Sequence, residues 1–196
     1  MKLKTSITIL GGCLLIFLFI MLPIVFSIQE KKDNIVSSYS GSSFVLKDVN
    51  NKPITENSFQ GPLTAIFFGF TNCPDICPTT LLDISRTLKE LKDDAKKVQA
   101  VFVSVDYKRD TPQYLNKYVN YFDERILGIS SDKKNIDKLN KYFKTNYSLL
   151  DSNKENYLVE HSSNLYIIGE DLVVKRIIAH GLPYTEITKA VKKLIN

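Results

Sequence analysis

At 196 residues with 44% hydrophobic content, the chain is long enough for one globular domain plus an additional segment. Its 26 basic and 21 acidic residues are interspersed, so the net charge of +5 marks no nucleic-acid face, which would need clustered Lys and Arg with stacking aromatics. Residues 5–28, TSITILGGCLLIFLFIMLPIVFSI, carry no charge, and about 20 apolar residues suffice to cross a bilayer. We read residues 1–28 as a membrane anchor with one transmembrane helix. A cleaved signal peptide fits less well, because its apolar core runs roughly 7–15 residues and ends at a small-residue cleavage site. Lipidation at Cys13, in LGGC, is disfavoured because the longer apolar stretch follows the cysteine instead of preceding it. Cys13 is then a membrane-buried thiol. Lys2, Lys4 and the α-amino group argue for an amino terminus inside, although Lys31 and Lys32 lie just beyond the span. The domain is then extracytoplasmic, on the periplasmic side of a bacterial inner membrane or in a mitochondrial intermembrane space. Residues 29–43, rich in Ser, Lys and Asp, form a linker, and residues 44–196 form the domain.

Within the domain, FVLKDVNNKPITENSF predicts a hairpin turning at Asn50 and Asn51. LTAIFFGF is a continuous apolar run, as expected of a strand covered on both faces. PTTLLDISRTLKELKDD follows with helical spacing, and VQAVFVSVD is a second buried strand. Thr111 and Pro112 predict a helix start, as N-cap and first residue of TPQYLNKYVNYF. Asp110 is assigned to the same helix start. ILGIS, a helix over about 132–143, a hairpin turning at Gly169 to Asp171 and the closing helix PYTEITKAVKKLI complete the pattern. The segment from Tyr142 to Val159 reads as an irregular insertion or extended loop. Lysine-rich stretches such as SDKKNIDKLNKYF keep Ile136 and Leu139 at helical spacing, so they are solvated helix faces. This alternation predicts an α/β domain with a central mixed sheet flanked by helices. Among small folds of that pattern, the thioredoxin-like one suits the order β-α-β-α-β-β-α.

TNCPDICPTT places Cys73 and Cys77 after the carboxyl end of the first buried strand, where open α/β sheets build their sites. Proline is favoured at a helix start, so the helix is expected to begin at Pro78 with Cys77 at or near the N-cap. The positive end of the helix dipole would then lower the Cys77 thiol pKa. A structural disulfide closing so small a loop would add little stability. The pair is therefore a redox couple or part of a metal site. His161, in YLVEHSSNLYII, precedes the strand that opens the terminal hairpin. Thioredoxins usually have a cis-proline there, and a histidine in its place would face the two sulfurs. Two thiolates and an imidazole form a coherent ligand set for copper or zinc. His180, in AHGLPY, has no comparable partners and reads as a loop residue. Asp106 ends the second buried strand at the same sheet edge. It is either a carboxylate supporting the site or a docking partner, or else a solvated strand end. Pro74 and Asp75 shape the turn between the cysteines.

Three stretches, FFGFTNCPDICPTTL, FVSVDYKRDTP and YLVEHS, resemble the Sco family, membrane-anchored thioredoxin-like proteins for assembly of cytochrome c oxidase. The resemblance runs from about Phe44 to the end. It departs from the family at Tyr107, where proline is common, and at Glu160, where aspartate is frequent. It implies copper binding by Cys73, Cys77 and His161. It also implies delivery of copper to the dinuclear site of the copper-receiving oxidase subunit, or reduction of that site's cysteines. Copper(I) tolerates three soft donors, whereas structural zinc normally takes four. Loading requires both sulfurs reduced, hence a thiol reductant as partner. A thiol–disulfide oxidoreductase, using Cys73 and Cys77 without His161, is the alternative. A peroxiredoxin-type peroxidase is a third class, but its motif would need Thr where Phe70 stands.

Overall fold

The computed structural model describes residue 17 and residues 19–23, 46–47, 52–55, 58–59 and 61–195. The chain divides into two compact units, Met1–Ser38 and Tyr39–Asn196. In the first unit the described residues, Phe17 and 19–23, are helical. The rest of the expected span over residues 5–28 lies outside the described residues, as does the whole linker, residues 29–43. Among the described residues, no helix is long and apolar enough to cross a membrane.

In the second unit, β1 (Leu46–Lys47) pairs antiparallel with β2 (Pro53–Ile54), as the expected hairpin requires. The central sheet contains β3 (Leu63–Gly69), β4 (Val98–Ser104), β5 (Ile126–Ile129), β8 (Leu165–Gly169) and β9 (Val174–Ile178), in the order β5-β4-β3-β8-β9. β3, β4 and β5 run parallel, while β8 and β9 run antiparallel to their neighbours, so the sheet is mixed. Every residue of β3 and of β8 is buried, which explains their unbroken apolar character. Among the described residues four α-helices cover the sheet: α1 (Ile76–Leu91), α2 (Pro112–Phe122), α3 (Lys133–Phe143) and α4 (Tyr184–Ile195).

Alternation along the central strands feeds two cores. Ala65, Phe67, Phe102 and Ile167 face one side and meet Leu81 and Leu88 of α1, Leu115 and Val119 of α2, and Ile187 and Val191 of α4. Ile66, Phe68, Val101, Val103 and Ile168 face the other side and meet Ile54, Phe59 and the α3 residues Ile136, Leu139 and Phe143. Each fully buried phenylalanine contributes about 2 kcal/mol of apolar transfer. This is the thioredoxin-like arrangement expected from the order of elements. Thr111 caps α2 by accepting from the Tyr114 amide, and Asp132 caps α3 by accepting from the Asn135 amide.

Two local expectations are corrected. The segment 142–159 is not an irregular loop: it finishes α3 and then forms a hairpin of β6 (Tyr147–Leu150) and β7 (Leu158–His161). Its burial alternates weakly and it joins no core strand, so it leaves little periodic signal. α1 begins at Ile76 with Asp75 as N-cap, ahead of the expected start at Pro78. The first-turn amides have no helical acceptor, so proline is tolerated there beyond the first position.

Candidate metal centre

β3 ends at Gly69, and the chain turns through residues 70–75 into α1. The Cys73 amide donates to the Phe70 carbonyl at 3.3 Å, which tightens that turn. Asp110 holds it from the neighbouring strand end. Its buried carboxylate accepts from the Thr71 amide at 2.9 Å, the Thr71 hydroxyl at 2.5 Å and the Ser104 hydroxyl at 2.5 Å. Asp110 is therefore a clamp on the cysteine loop and not part of the helix start, which belongs to Thr111. Burial raises its carboxyl pKa, against the opposing effect of those three donors.

Cys73 is half-buried and Cys77 fully buried; both are free thiols. The two cysteines of the strand-to-helix turn are thus unequal: Cys77 packs into the core and Cys73 stays nearer the surface. The Cys77 amide, in the first turn of α1, donates to Cys73 Sγ at 3.4 Å. Asp75 makes no side-chain cap, so the Cys73 sulfur takes that role. The thiolate consequently sits on Cys73 and not on Cys77. A hydrogen bond from the Cys77 thiol, supported by the backbone amides of Cys77 and Asp75, outweighs partial burial and pushes Cys73 down to about 3. Cys77 moves up, because it shares its proton with Cys73 and is desolvated.

Gly69 makes room for the buried sulfur. A Cβ there would stand 2.6 Å from Cys77 Sγ and 2.6 Å from Phe102 Cε2. Its signal in the sequence was a lone glycine inside an otherwise apolar strand.

β7 brings His161 in from the other side. Its Nε2 lies 3.8 Å from Cys77 Sγ, and its Nδ1 lies 3.0 Å from the Ser162 carbonyl. A carbonyl can only accept, so Nδ1 carries the proton and Nε2 presents its lone pair to the sulfurs. Phe70 and Phe67 pack edge-on against the imidazole, with ring centroids at 5.6 and 6.3 Å. The donor atoms of Cys73, Cys77 and His161 all lie within 4.8 Å of one another. Two soft sulfurs and one imidazole nitrogen, with Cys73 and His161 only half-buried, can hold a soft metal ion reachable from outside.

Asp106 and His180 lie apart from this group. The Asp106 carboxylate is fully buried and accepts from Arg109 Nε at 2.5 Å and from the Tyr157 hydroxyl. It is neither a solvated strand end nor directed at the sulfurs. His180 is exposed and lines a separate groove with Thr79, Asp83 and Ser163. Cys13 lies outside the described residues.

The sequence model of the SCO1/SenC family matches residues 32–196. A SCO2-like protein of Rickettsia prowazekii is 34% identical over 148 residues, covering 74% of this chain and 70% of that protein. The structure of Bradyrhizobium japonicum ScoI with copper bound is similar at a TM-score of 0.71 and 34% identity, over 79% of this chain and 98% of that one. The structure of Arabidopsis thaliana ScoI with copper bound is similar at a TM-score of 0.73 and 29% identity, over 79% of this chain and 97% of that one.

Proposed function

The chain belongs to the SCO1/SenC family, and from that premise we propose that it is a copper metallochaperone, a binding protein without turnover. Copper is its cargo, held by Cys73, Cys77 and His161. The observation that carries this reading is the convergence of three donor atoms within 4.8 Å, on a fold shared with copper-bound relatives. Cys73 supplies a thiolate already formed, Cys77 gives up its proton as the metal binds, and His161 supplies the Nε2 lone pair. Three donors suit copper(I) better than a structural zinc. Cys73 and His161 stand nearer the surface, so a partner's ligands can replace them stepwise while Cys77 retains the ion.

The recipient in this reading is the dinuclear copper site of cytochrome c oxidase, on its copper-receiving subunit. Residues 1–28 anchor the protein in the membrane, 29–43 are a spacer, and residues 44–196 work outside the cytoplasm. A thiol reductant keeps the pair open for loading.

The test is copper titration of the reduced protein. We expect one copper per chain, loss of tight binding in Cys73→Ser and in Cys77→Ser, and strong weakening in His161→Ala. Unchanged affinity in His161→Ala would overturn the three-donor site.

One observation favours a second reading, reduction of the oxidase subunit's cysteines or of other extracytoplasmic proteins. A half-exposed Cys73 thiolate backed by a buried Cys77 thiol is the arrangement of an attacking and a resolving cysteine. The two readings separate by alkylation. Bound copper should protect both thiols in step with its binding, because metal and alkylating agent compete for the same sulfurs. Thiols that stay fully reactive with copper bound would place the metal elsewhere and favour the oxidoreductase.

A further inference from the structure

His161 reaches the sulfurs from a hairpin outside the central sheet: among the described residues, β6 and β7 pair only with each other. Among the described residues no ladder hydrogen bond ties this hairpin to the body, so side-chain contacts hold it there. Val159 packs against both cores and Tyr147 against one of them, while the buried polar contacts converge on Tyr157, the residue immediately before β7. Arg109 Nη1 donates to the Tyr157 carbonyl at 3.2 Å. The Arg109 guanidinium also lies over the Tyr157 ring, 3.7 Å from its centroid. The Tyr157 hydroxyl in turn donates to Asp106 Oδ1. Arg109 is itself held by Asp106, whose Oδ2 accepts from Nε at 2.5 Å. One fully buried carboxylate at the end of β4 thus grips the arginine with one oxygen and the tyrosine with the other.

β7 runs directly from this point to His161. A strand is stiff along its length, so holding its start sets where its end lies. The far end of the hairpin is closed by bonds within the hairpin's own flanks: the Ser162 amide donates to the Asn146 carbonyl at 2.9 Å and the Asn146 amide to Ser162 Oγ at 3.1 Å. Two further polar ties to the body, from the Tyr147 hydroxyl to Asp137 Oδ1 at 2.6 Å and from Lys108 Nζ to the Ser152 carbonyl at 3.0 Å, are exposed to water, where a hydrogen bond adds little.

We propose that Asp106, Arg109 and Tyr157 form a latch that sets the distance between His161 and the two sulfurs, with Tyr157 as the positioning residue. The proposal deepens the copper reading and rests on His161 being a ligand. None of the latch contacts above touches a sulfur or His161; the latch acts through β7. This gives buried Asp106 a purpose that its place at the sheet edge suggested but did not specify.

The test uses the full chain in detergent, reduced and metal-free, with isotope-labelled histidine. The chain has two histidines, so His180→Gln isolates the His161 signal. In the parent protein the His161 ring protons should be displaced by the ring currents of Phe70 and Phe67. Tyr157→Leu should return them toward the values of an exposed histidine. Tyr157→Phe, which loses only the hydroxyl bond, should move them part of the way and serves if the leucine variant unfolds. A second arm measures copper affinity. Tyr157→Leu should weaken binding about tenfold, and have no effect on a His161→Ala background, because it acts through that ligand. Unmoved His161 resonances, or an equal loss in both backgrounds, would overturn the latch. If His161→Ala alone leaves copper affinity unchanged, the three-donor reading fails instead, and the metal-free resonances still decide whether the latch positions His161.

Discussion

The backbone amide of Cys77 points at the sulfur of Cys73, 3.4 Å away, so one cysteine caps the helix that carries the other. This single contact divides the labour of the pair. Cys73 holds negative charge at a helix start, and Cys77 keeps its proton inside the core.

The first prediction follows from that division. In the reduced, metal-free protein, Cys73 should be alkylated at a rate nearly independent of pH once the pH is well above about 3, where it is already a thiolate. Cys77→Ala removes the hydrogen bond that lowers the Cys73 pKa most, so the pKa should climb toward the usual 9.0. Thiolate ultraviolet absorbance across a pH titration measures both. A Cys73 titration near the ordinary thiol value in the parent protein would refute the assignment.

Gly69→Ala should damage the site without touching a ligand. The added methyl lies 2.6 Å from both Cys77 Sγ and the Phe102 ring, so one of them must move. Overpacking of this kind costs about 1–3 kcal/mol, which urea unfolding would register. Copper affinity should fall in parallel as the sulfur is displaced. Wild-type behaviour in both measurements would mean that the pocket around Cys77 yields freely.

Asp110→Ala should loosen the cysteine loop by stranding the Thr71 amide and hydroxyl and the Ser104 hydroxyl, a loss of about 3 kcal/mol. The pH dependence carries a definite sign. Burial holds the Asp110 pKa above its usual 3.8, so the folded state takes up this proton more readily than the unfolded state. The resulting stabilisation is complete below the unfolded value and disappears as pH rises through the folded one. Compared with Asp110→Asn, which has no charge to lose, the parent protein should therefore gain stability as pH falls from neutrality toward that range. A difference between the two that does not change with pH would argue against the shift.

A chain beginning near Ser43, without residues 1–28, should remain soluble and unfold cooperatively. The unit 39–196 contains both hydrophobic cores described above. Circular dichroism during thermal unfolding provides the measurement. Aggregation, or a broad non-cooperative transition, would mean that the boundary is misplaced.

Much of this was legible before any coordinates, because it depends on neighbours along the chain. Apolar runs announced β3 and β4, and Thr111-Pro112 announced the start of α2. Cysteines following a buried strand announced a site at the sheet's carboxyl edge. His161 was reachable because the order of elements brings the segment before β8 beside the cysteine turn. What the tertiary structure alone decided was the state of each group once it arrived. Cys73 and Cys77 look equivalent in TNCPDICPTT, and local reasoning gave the lowered pKa to the wrong one. Which sulfur ionises depends on the hydrogen bond between the two side chains and on the burial of Cys77 among core residues from several strands and helices. Asp106 and Asp110 stand in one short loop, yet one grips the hairpin of His161 and the other the loop of Cys73. Residue type and spacing carry the backbone conformation and the apolar face of a helix or strand, whereas desolvation and hydrogen-bond partners come from residues distant in sequence, and these set pKa values and ligand distances.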